Sequence, residues 1–243
     1  MTAVTFDARL DQDELMDVEK VSYEEFRHCL VDLTRVNVLT LAYRPTLAYF
    51  ERLLPRIRAL GRPLEVVDVG SGYGDMLRAI HTWAKEREVE VSLTGVDMNP
   101  WSAKSAREAT PPLERPIEWV TANAFAYEPP RGIDVVVSSL FTHHLRDPEV
   151  VRFLRWMESI AKVGWFVNDL HRHPIPYYFF RTFAKLARYH RFVQHDGPVS
   201  IARAFAPADW QRLLRDADID PARVEIAWKI PFRLTVGRVK DFV

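Results

Sequence analysis

The sequence predicts an α/β fold: a doubly wound, mainly parallel sheet of seven strands with an antiparallel C-terminal strand, N-terminal helices before it and a helical lid inserted. Three observations carry this expectation. Short apolar runs alternate with helical stretches between residues 64 and 170, the pattern of strands joined by right-handed crossovers with helices on both faces. One of those runs ends in three glycines spaced two apart and then opens a helix. Beyond Val224 the tail holds two β-like stretches around Lys229-Ile230-Pro231-Phe232, suited to an antiparallel pair at the end of the sheet.

Between residues 23 and 60 the apolar positions Phe26, Leu30 and Leu33, then Leu47, Phe50, Leu54 and Ile57, recur at helical spacing. Two helices follow, broken near Arg44-Pro45 because proline disfavours the α conformation in the residue before it. Strands are expected at 64–69, 89–96, 117–121, 133–139 and 163–168, buried on both faces where the apolar run is continuous. Helices lie between them at 75–87, 100–109 and 147–160, the last opening with Asp147-Pro148, a cap followed by proline at the first helical position. A further helix is expected near 207–217. Residues 1–60 then form an N-terminal helical cap, and 61–243 a core with a lid insertion at about 171–206, one domain overall.

Composition narrows the function. The chain of 243 residues carries 33 Lys and Arg against 33 Asp and Glu, a balance that argues against a nucleic-acid partner, whose phosphates demand a basic surplus. A single cysteine excludes a disulfide framework and a cysteine-based zinc finger. No run approaches the roughly 18 to 20 apolar residues of a spanning helix, and the acidic N-terminus is not a signal peptide, so a cytoplasmic protein without integral membrane association is expected. Monomer and homodimer are both compatible with these features.

The stretch Val66-Val67-Asp68-Val69-Gly70-Ser71-Gly72-Tyr73-Gly74-Asp75 is the most informative. Glycines between a strand and a helix bring backbone close to a ligand at the carboxyl end of a sheet. A dinucleotide fingerprint would place another glycine where Asp75 stands, and a carboxylate at a helix N-terminus repels a pyrophosphate. Asp97, 23 residues past Gly74, stands where a carboxylate would accept from ribose hydroxyls. Met98 could lie on a purine face, and Asp68 could hold an ammonium. Ribose, purine, ammonium and no phosphate together describe S-adenosylmethionine.

At these residues the sequence resembles the class I, Rossmann-like methyltransferases. Their first motif, two apolar residues followed by acid-x-Gly-x-Gly-x-Gly, is matched by Val66 to Gly74. The resemblance runs through Asp97, the loop Thr121-Ala122-Asn123-Ala124-Phe125, and Ile133 to Ser139 with Leu140-Phe141-Thr142-His143-His144-Leu145 after it. It implies that Asp68, Gly70, Ser71, Gly72, Gly74, Asp97, Met98, Asn123, Ala124 and Ser139 line the cofactor. Asn123 departs from the usual Asp, but its carbonyl can accept the same bond from the adenine amino group. In related enzymes the segment before the first strand covers the cofactor, which makes Tyr23, Asn37, Tyr43 and Arg44 candidates. Arg44 could pair with the methionine carboxylate.

Methyl transfer is an in-line displacement in which the protein holds the nucleophile and, where needed, removes its proton. His143 and His144 follow the fourth predicted strand; His171 and His173 follow the fifth. His144 and His171 are the favoured general bases, with Asp169 orienting an imidazole. Asn168 and Asp169 resemble part of the magnesium set of catechol-type methyltransferases, but a third acid is missing, so no metal is expected.

Residues 171–195 carry Arg172, Arg181, Lys185, Arg188 and Arg191 and no acid. Arg181, Lys185 and Arg188 share one helix face; Phe179, Phe183, Leu186 and His190 share another. The segment reads as an amphipathic helix on the sheet, as a lid shaping an apolar acceptor pocket, or as a surface for a membrane or RNA. The first 32 residues are acidic, with Asp7, Asp11, Asp13, Glu14, Asp17, Glu19, Glu24, Glu25 and Asp32 against Arg9, Lys20 and Arg27. These acids read as a solvated helical face or as the partner of the basic lid over the active site. The expected function is S-adenosylmethionine-dependent O-methylation of a small hydrophobic, phenolic or polyketide- or quinone-like acceptor in secondary metabolism. A carbon or nitrogen acceptor is the first alternative, and a module that binds the cofactor without catalysis is the second.

Overall fold

A computed structural model describes residues 5–113 and 116–241 of the chain. A short helix α1 (Leu15–Val18) and two long ones, α2 (Tyr23–Leu39) and α3 (Arg44–Ala59), precede the sheet. The core then runs β1 (Leu64–Val69), α4 (Asp75–Glu86), β2 (Val91–Asp97), α5 (Pro100–Ala109), β3 (Glu118–Thr121), β4 (Val135–Ser139), α6 (Asp147–Ile160) and β5 (Gly164–Leu170). Helices α7 (Pro174–Leu186), α8 (Arg191–Arg203) and α9 (Pro207–Asp216) lead to β6 (Glu225–Lys229) and β7 (Arg233–Val239).

The strand order is β3-β2-β1-β4-β5-β7-β6. Strands β1 to β5 pair in parallel, and β7 is antiparallel to both β5 and β6. This is the predicted seven-stranded, doubly wound sheet. The order reverses between β1 and β4, so the crevice for a ligand opens at the carboxyl ends of these strands.

Alternation along the strands builds two cores. Val66, Val135, Val137 and Phe166 face Tyr49, Phe50, Leu53, Leu77 and Ile80, while Val67, Val136, Val167 and Val236 face Phe153, Leu154, Trp210 and Leu213. Successive apolar residues thus bury both faces, as a parallel sheet between helices requires. Local chemistry sets the helix starts. Ser22 accepts from Glu25 N at 3.2 Å, Asn99 accepts from Trp101 N at 2.9 Å ahead of Pro100, and Glu149 reaches back to Arg146 N at 2.8 Å.

Two expectations change. Residues 5–13 are not helical; they form a strap, in which Arg9 donates to the carbonyls of Arg203, His143 and Leu145 and pairs with Asp147 at 2.7 Å. Its downstream acids are not all solvated, because Glu14 and Asp32 are buried. The basic segment is two helices rather than one stripe. The chain breaks at Arg188, in left-handed conformation at φ 53°, and His190 caps α8 by accepting from Phe192 N. The acidic and basic segments do meet, through Arg191 with Glu19 at 2.7 Å and Glu25 at 3.0 Å. Arg181, Lys185 and Arg188 are exposed and form no ion pair among the described residues. Among those residues, no helix is long and apolar enough to cross a membrane.

Candidate active site

A cavity of about 890 Å³ opens at the carboxyl ends of β1, β2, β4 and β5 and is roofed by α1, α2 and α8. The turn at its floor has three positive-φ glycines, Gly70 at 71°, Gly72 at 50° and Gly74 at 74°, of which Gly70 and Gly72 line the cavity. A Cβ on Gly70 would lie 2.6 Å from the Phe141 ring, and one on Gly74 would lie 2.2 Å from Trp119. A Cβ on Gly72 would meet nothing within 4 Å, so at Gly72 the turn faces open space, as close approach of a ligand to backbone requires.

Buried polar atoms without partners concentrate on this cavity. Asp68 Oδ1, Ser139 Oγ, Asn168 Oδ1 and Arg233 Nη1 each lack a hydrogen bond, and all four residues belong to its wall. Burial, reinforced by the charges of Asp75 and Asp97, raises the Asp68 carboxyl well above the ordinary carboxylate range. An unpaired buried carboxylate is costly, and a ligand ammonium would relieve that cost. Asp97 is likewise raised by burial, against the hydrogen bonds it accepts from Asn99 N at 2.8 Å and Gly72 N at 2.9 Å. These features fit S-adenosylmethionine: a carboxylate for its ammonium, another beside the glycine turn for its ribose, and a wall continuing through Met98, Asn123, Ala124 and Phe125.

Placement of the other predicted residues is uneven. Ser71, Asn37, Tyr43, His143 and His144 are on the cavity wall. Met98 reaches it while remaining 73% exposed. Asn123 spends its side-chain oxygen on Phe125 N at 3.0 Å, capping its own turn. Tyr43 and Asn37 both donate to Asp75, at 2.6 and 3.1 Å, so the acid in the third glycine's place anchors the helical cap.

Four candidates lie elsewhere. Gly74 is packed under Trp119, and Tyr23 donates to Glu108 at 2.6 Å. Arg44 lines a separate groove with Tyr49, Arg52 and Phe166 because it opens α3 on the far side of that helix's buried face. His171 stacks on His173 and is absent from the cavity wall.

Asp169 is buried and orients His143, not His144 or His171. Its Oδ1 meets His143 Nδ1 at 2.7 Å, and its Oδ2 accepts from His143 N at 3.0 Å and from the Thr142 hydroxyl. Although burial opposes ionisation, the His143 charge and these hydrogen bonds hold Asp169 well below the carboxylate range. His144 Nδ1 lies 2.9 Å from Asp17 Oδ2. Burial would lower its pKa, but the Asp17 hydrogen bond and the charges of Glu14 and Asp17 raise it to about 9. Asn168 donates through its amide nitrogen to Ala42 O at 2.7 Å and Thr46 Oγ1 at 3.2 Å, which leaves its Oδ1 unpartnered on the wall.

The wall also holds Glu14 and Asp17, expected over the site only as part of the acidic N-terminal segment, and Arg233, which sequence reasoning missed. Arg233 is 3% exposed, and burial pushes its guanidinium down to about 10. It reaches the site because β7 is antiparallel and starts where the parallel strands end, with Arg233 opposite Leu170. A charged residue opening an apolar β run in the tail was the available signal.

Residues 66–164 match the family described as "Methyltransferase domain". No curated protein matches the chain in sequence. Solved structures share the fold. The plantazolicin methyltransferase BpumL, in complex with S-adenosylhomocysteine (SAH), superposes with a TM-score of 0.60 at 12% identity over 89% of this chain and 96% of that one. Magnesium protoporphyrin IX methyltransferase from Synechocystis PCC 6803, with bound SAH, gives 0.51 at 13% identity over 92% and 89%. The plantazolicin methyltransferase BamL gives 0.55 at 14% over 84% and 77%. Residues 66–164 thus match a methyltransferase domain, and the glycine motif and strand order around them are those of a Rossmann-like fold.

Proposed function

We propose that the chain methylates a hydroxyl oxygen of a small hydrophobic acceptor of phenolic, polyketide-like or quinone-like type. When bound, S-adenosylmethionine supplies an electrophilic methyl group on a sulfonium. Asp68 holds its ammonium, Asp97 its ribose hydroxyls, and Arg233, with Asn37 and Tyr43 beside it, takes the carboxylate role first assigned to Arg44. The observation that carries the acceptor reading is the juxtaposition on one cavity wall of apolar side chains, Phe26, Leu30, Leu33, Phe141, Phe180 and Ile201, with the imidazoles of His143 and His144. The apolar part excludes water and holds an acceptor in line, and the Glu14, His143 and His144 cluster assists loss of its proton.

The lid contributes to this wall less than its composition promised. From α7 only Phe180 faces the cavity, while α8 supplies Gly197, Ser200 and Ile201; Ile175, Tyr178, Phe179 and Leu186 are exposed. The test is incubation of purified chain with methyl-labelled donor and a panel of phenols, quinones, RNA and protein. Label on a phenolic oxygen is expected. Label on RNA, on carbon or nitrogen, or SAH binding without transfer to any acceptor overturns the reading.

A further inference from the structure

We propose that Glu14, His143 and His144 form a binding site for one divalent transition-metal cation on the cavity wall. His143 Nε2 lies 3.5 Å from Glu14 Oε1 and His144 Nε2 lies 3.9 Å from Glu14 Oε2. Among the described residues, the three ligand atoms converge to within 4.8 Å of one another. An ion bound at roughly 2.1 Å sets neighbouring ligand atoms about 3.0 to 3.4 Å apart, so a small closing movement completes the site.

Each ligand is held from behind. Asp169 engages His143 at Nδ1, Asp17 engages His144 at Nδ1, and Ser200 Oγ donates to Glu14 Oε1 at 2.8 Å. Carboxylates on Nδ1 fix the tautomer that leaves Nε2 to coordinate, the arrangement that orients histidine ligands in metal sites. Each ring meets a carboxylate through both nitrogens, and the two ring centroids lie 4.4 Å apart, so one cation can be shared between the Nε2 atoms. Around it Glu14, Asp17 and Asp169 outnumber Arg203, which donates to the carbonyls of His143 and His144 at 3.2 and 3.0 Å, while Arg9 is spent on Asp147.

A set of two imidazoles and one carboxylate suits zinc, iron(II), cobalt(II), manganese or nickel better than magnesium or calcium. Three protein ligands leave further positions open. All three residues are on the cavity wall, so an oxygen donor of the acceptor would fill an open position. That last step rests on the acceptor reading above; the metal site rests on the ligand geometry alone. Since Glu14 follows the N-terminal strap and the histidines follow β4, the ion would also fasten strap to core.

The test uses untagged full-length protein, stripped with chelator and dialysed against Co²⁺ and then Zn²⁺. Uptake of about one equivalent, with visible cobalt absorption, is expected. Glu14→Gln and His144→Gln should each weaken Co²⁺ binding at least about 100-fold, and Asp17→Asn about 10-fold, with SAH affinity retained as the sign of a folded chain. Absence of stoichiometric uptake, or uptake indifferent to both ligand substitutions in protein that binds SAH, overturns the site. Undiminished transfer to a phenol in chelator with no uptake removes the metal and keeps the acceptor reading; uptake abolished by the variants, without transfer to any hydroxyl, does the reverse.

Discussion

The two ends of the cavity are built on opposite principles. At the cofactor end, contiguous backbone from Val66 to Asp75 places Asp68 and the glycines, and polar atoms there are left without partners. At the histidine end, residues far apart in the chain, Glu14, His143, Asp169 and Ser200, satisfy one another before any ligand arrives. One end is receptive and spends its unpaired charge on the ligand; the other is preorganised, its imidazoles held in orientation by fixed carboxylates.

Substitutions at the two ends should therefore separate binding from chemistry. The largest effect is expected at the histidine end: His143→Ala should lower kcat by about 10² to 10⁴-fold while calorimetric SAH affinity stays at the parent value. Loss of SAH binding in that variant would erase the contrast between the ends. Asp68→Asn comes next, weakening SAH by about 10- to 100-fold, as expected for a lost hydrogen bond to a charged group.

The Asp68 effect has a pH signature. In the ligand-free protein its carboxyl is raised, so the group costs stability above that pKa and the cost disappears as pH falls through it. Bound ammonium needs the carboxylate, so SAH affinity should fall with falling pH, beginning above the ordinary carboxylate range, and Asp68→Asn should flatten the slope. Asp97→Ala should cost about 1.5 to 3 kcal/mol in SAH binding, measured by the same titration. An unchanged affinity would remove Asp97 from the ribose.

Smallest is the surface contact between the charged segments. Arg191→Ala breaks exposed ion pairs with Glu19 and Glu25 and should leave the midpoint of a denaturant melt almost unchanged. Neutralising Arg181, Lys185 and Arg188 together should leave acceptor KM unaltered, since no ion pair of theirs holds the lid among the described residues. A changed KM would return to these bases the role their sequence position suggested.

Legibility in the sequence followed the same division. The alternation of apolar runs, the glycine turn and the acid 23 residues beyond it are local patterns, and local patterns are what periodicity and turn chemistry report. Partnerships across the cavity were not legible. Asp169 was expected to orient an imidazole, with His144 and His171 favoured, and only folding decided that it meets His143, 26 positions away. Arg233 and not Arg44 stands on the cavity wall for a topological reason: α3 turns Arg44 away, and the antiparallel course of β7 delivers Arg233.

By itself, then, the sequence determined the class of fold, the cofactor and the residues of the glycine turn, because each follows from backbone sterics and burial over a few consecutive positions. Tertiary structure alone decided that the acidic segment after the N-terminal strap supplies Glu14 and Asp17 to two histidines after β4. Such contacts join residues more than a hundred positions apart, and their formation depends on packing free energy that no short window of sequence contains.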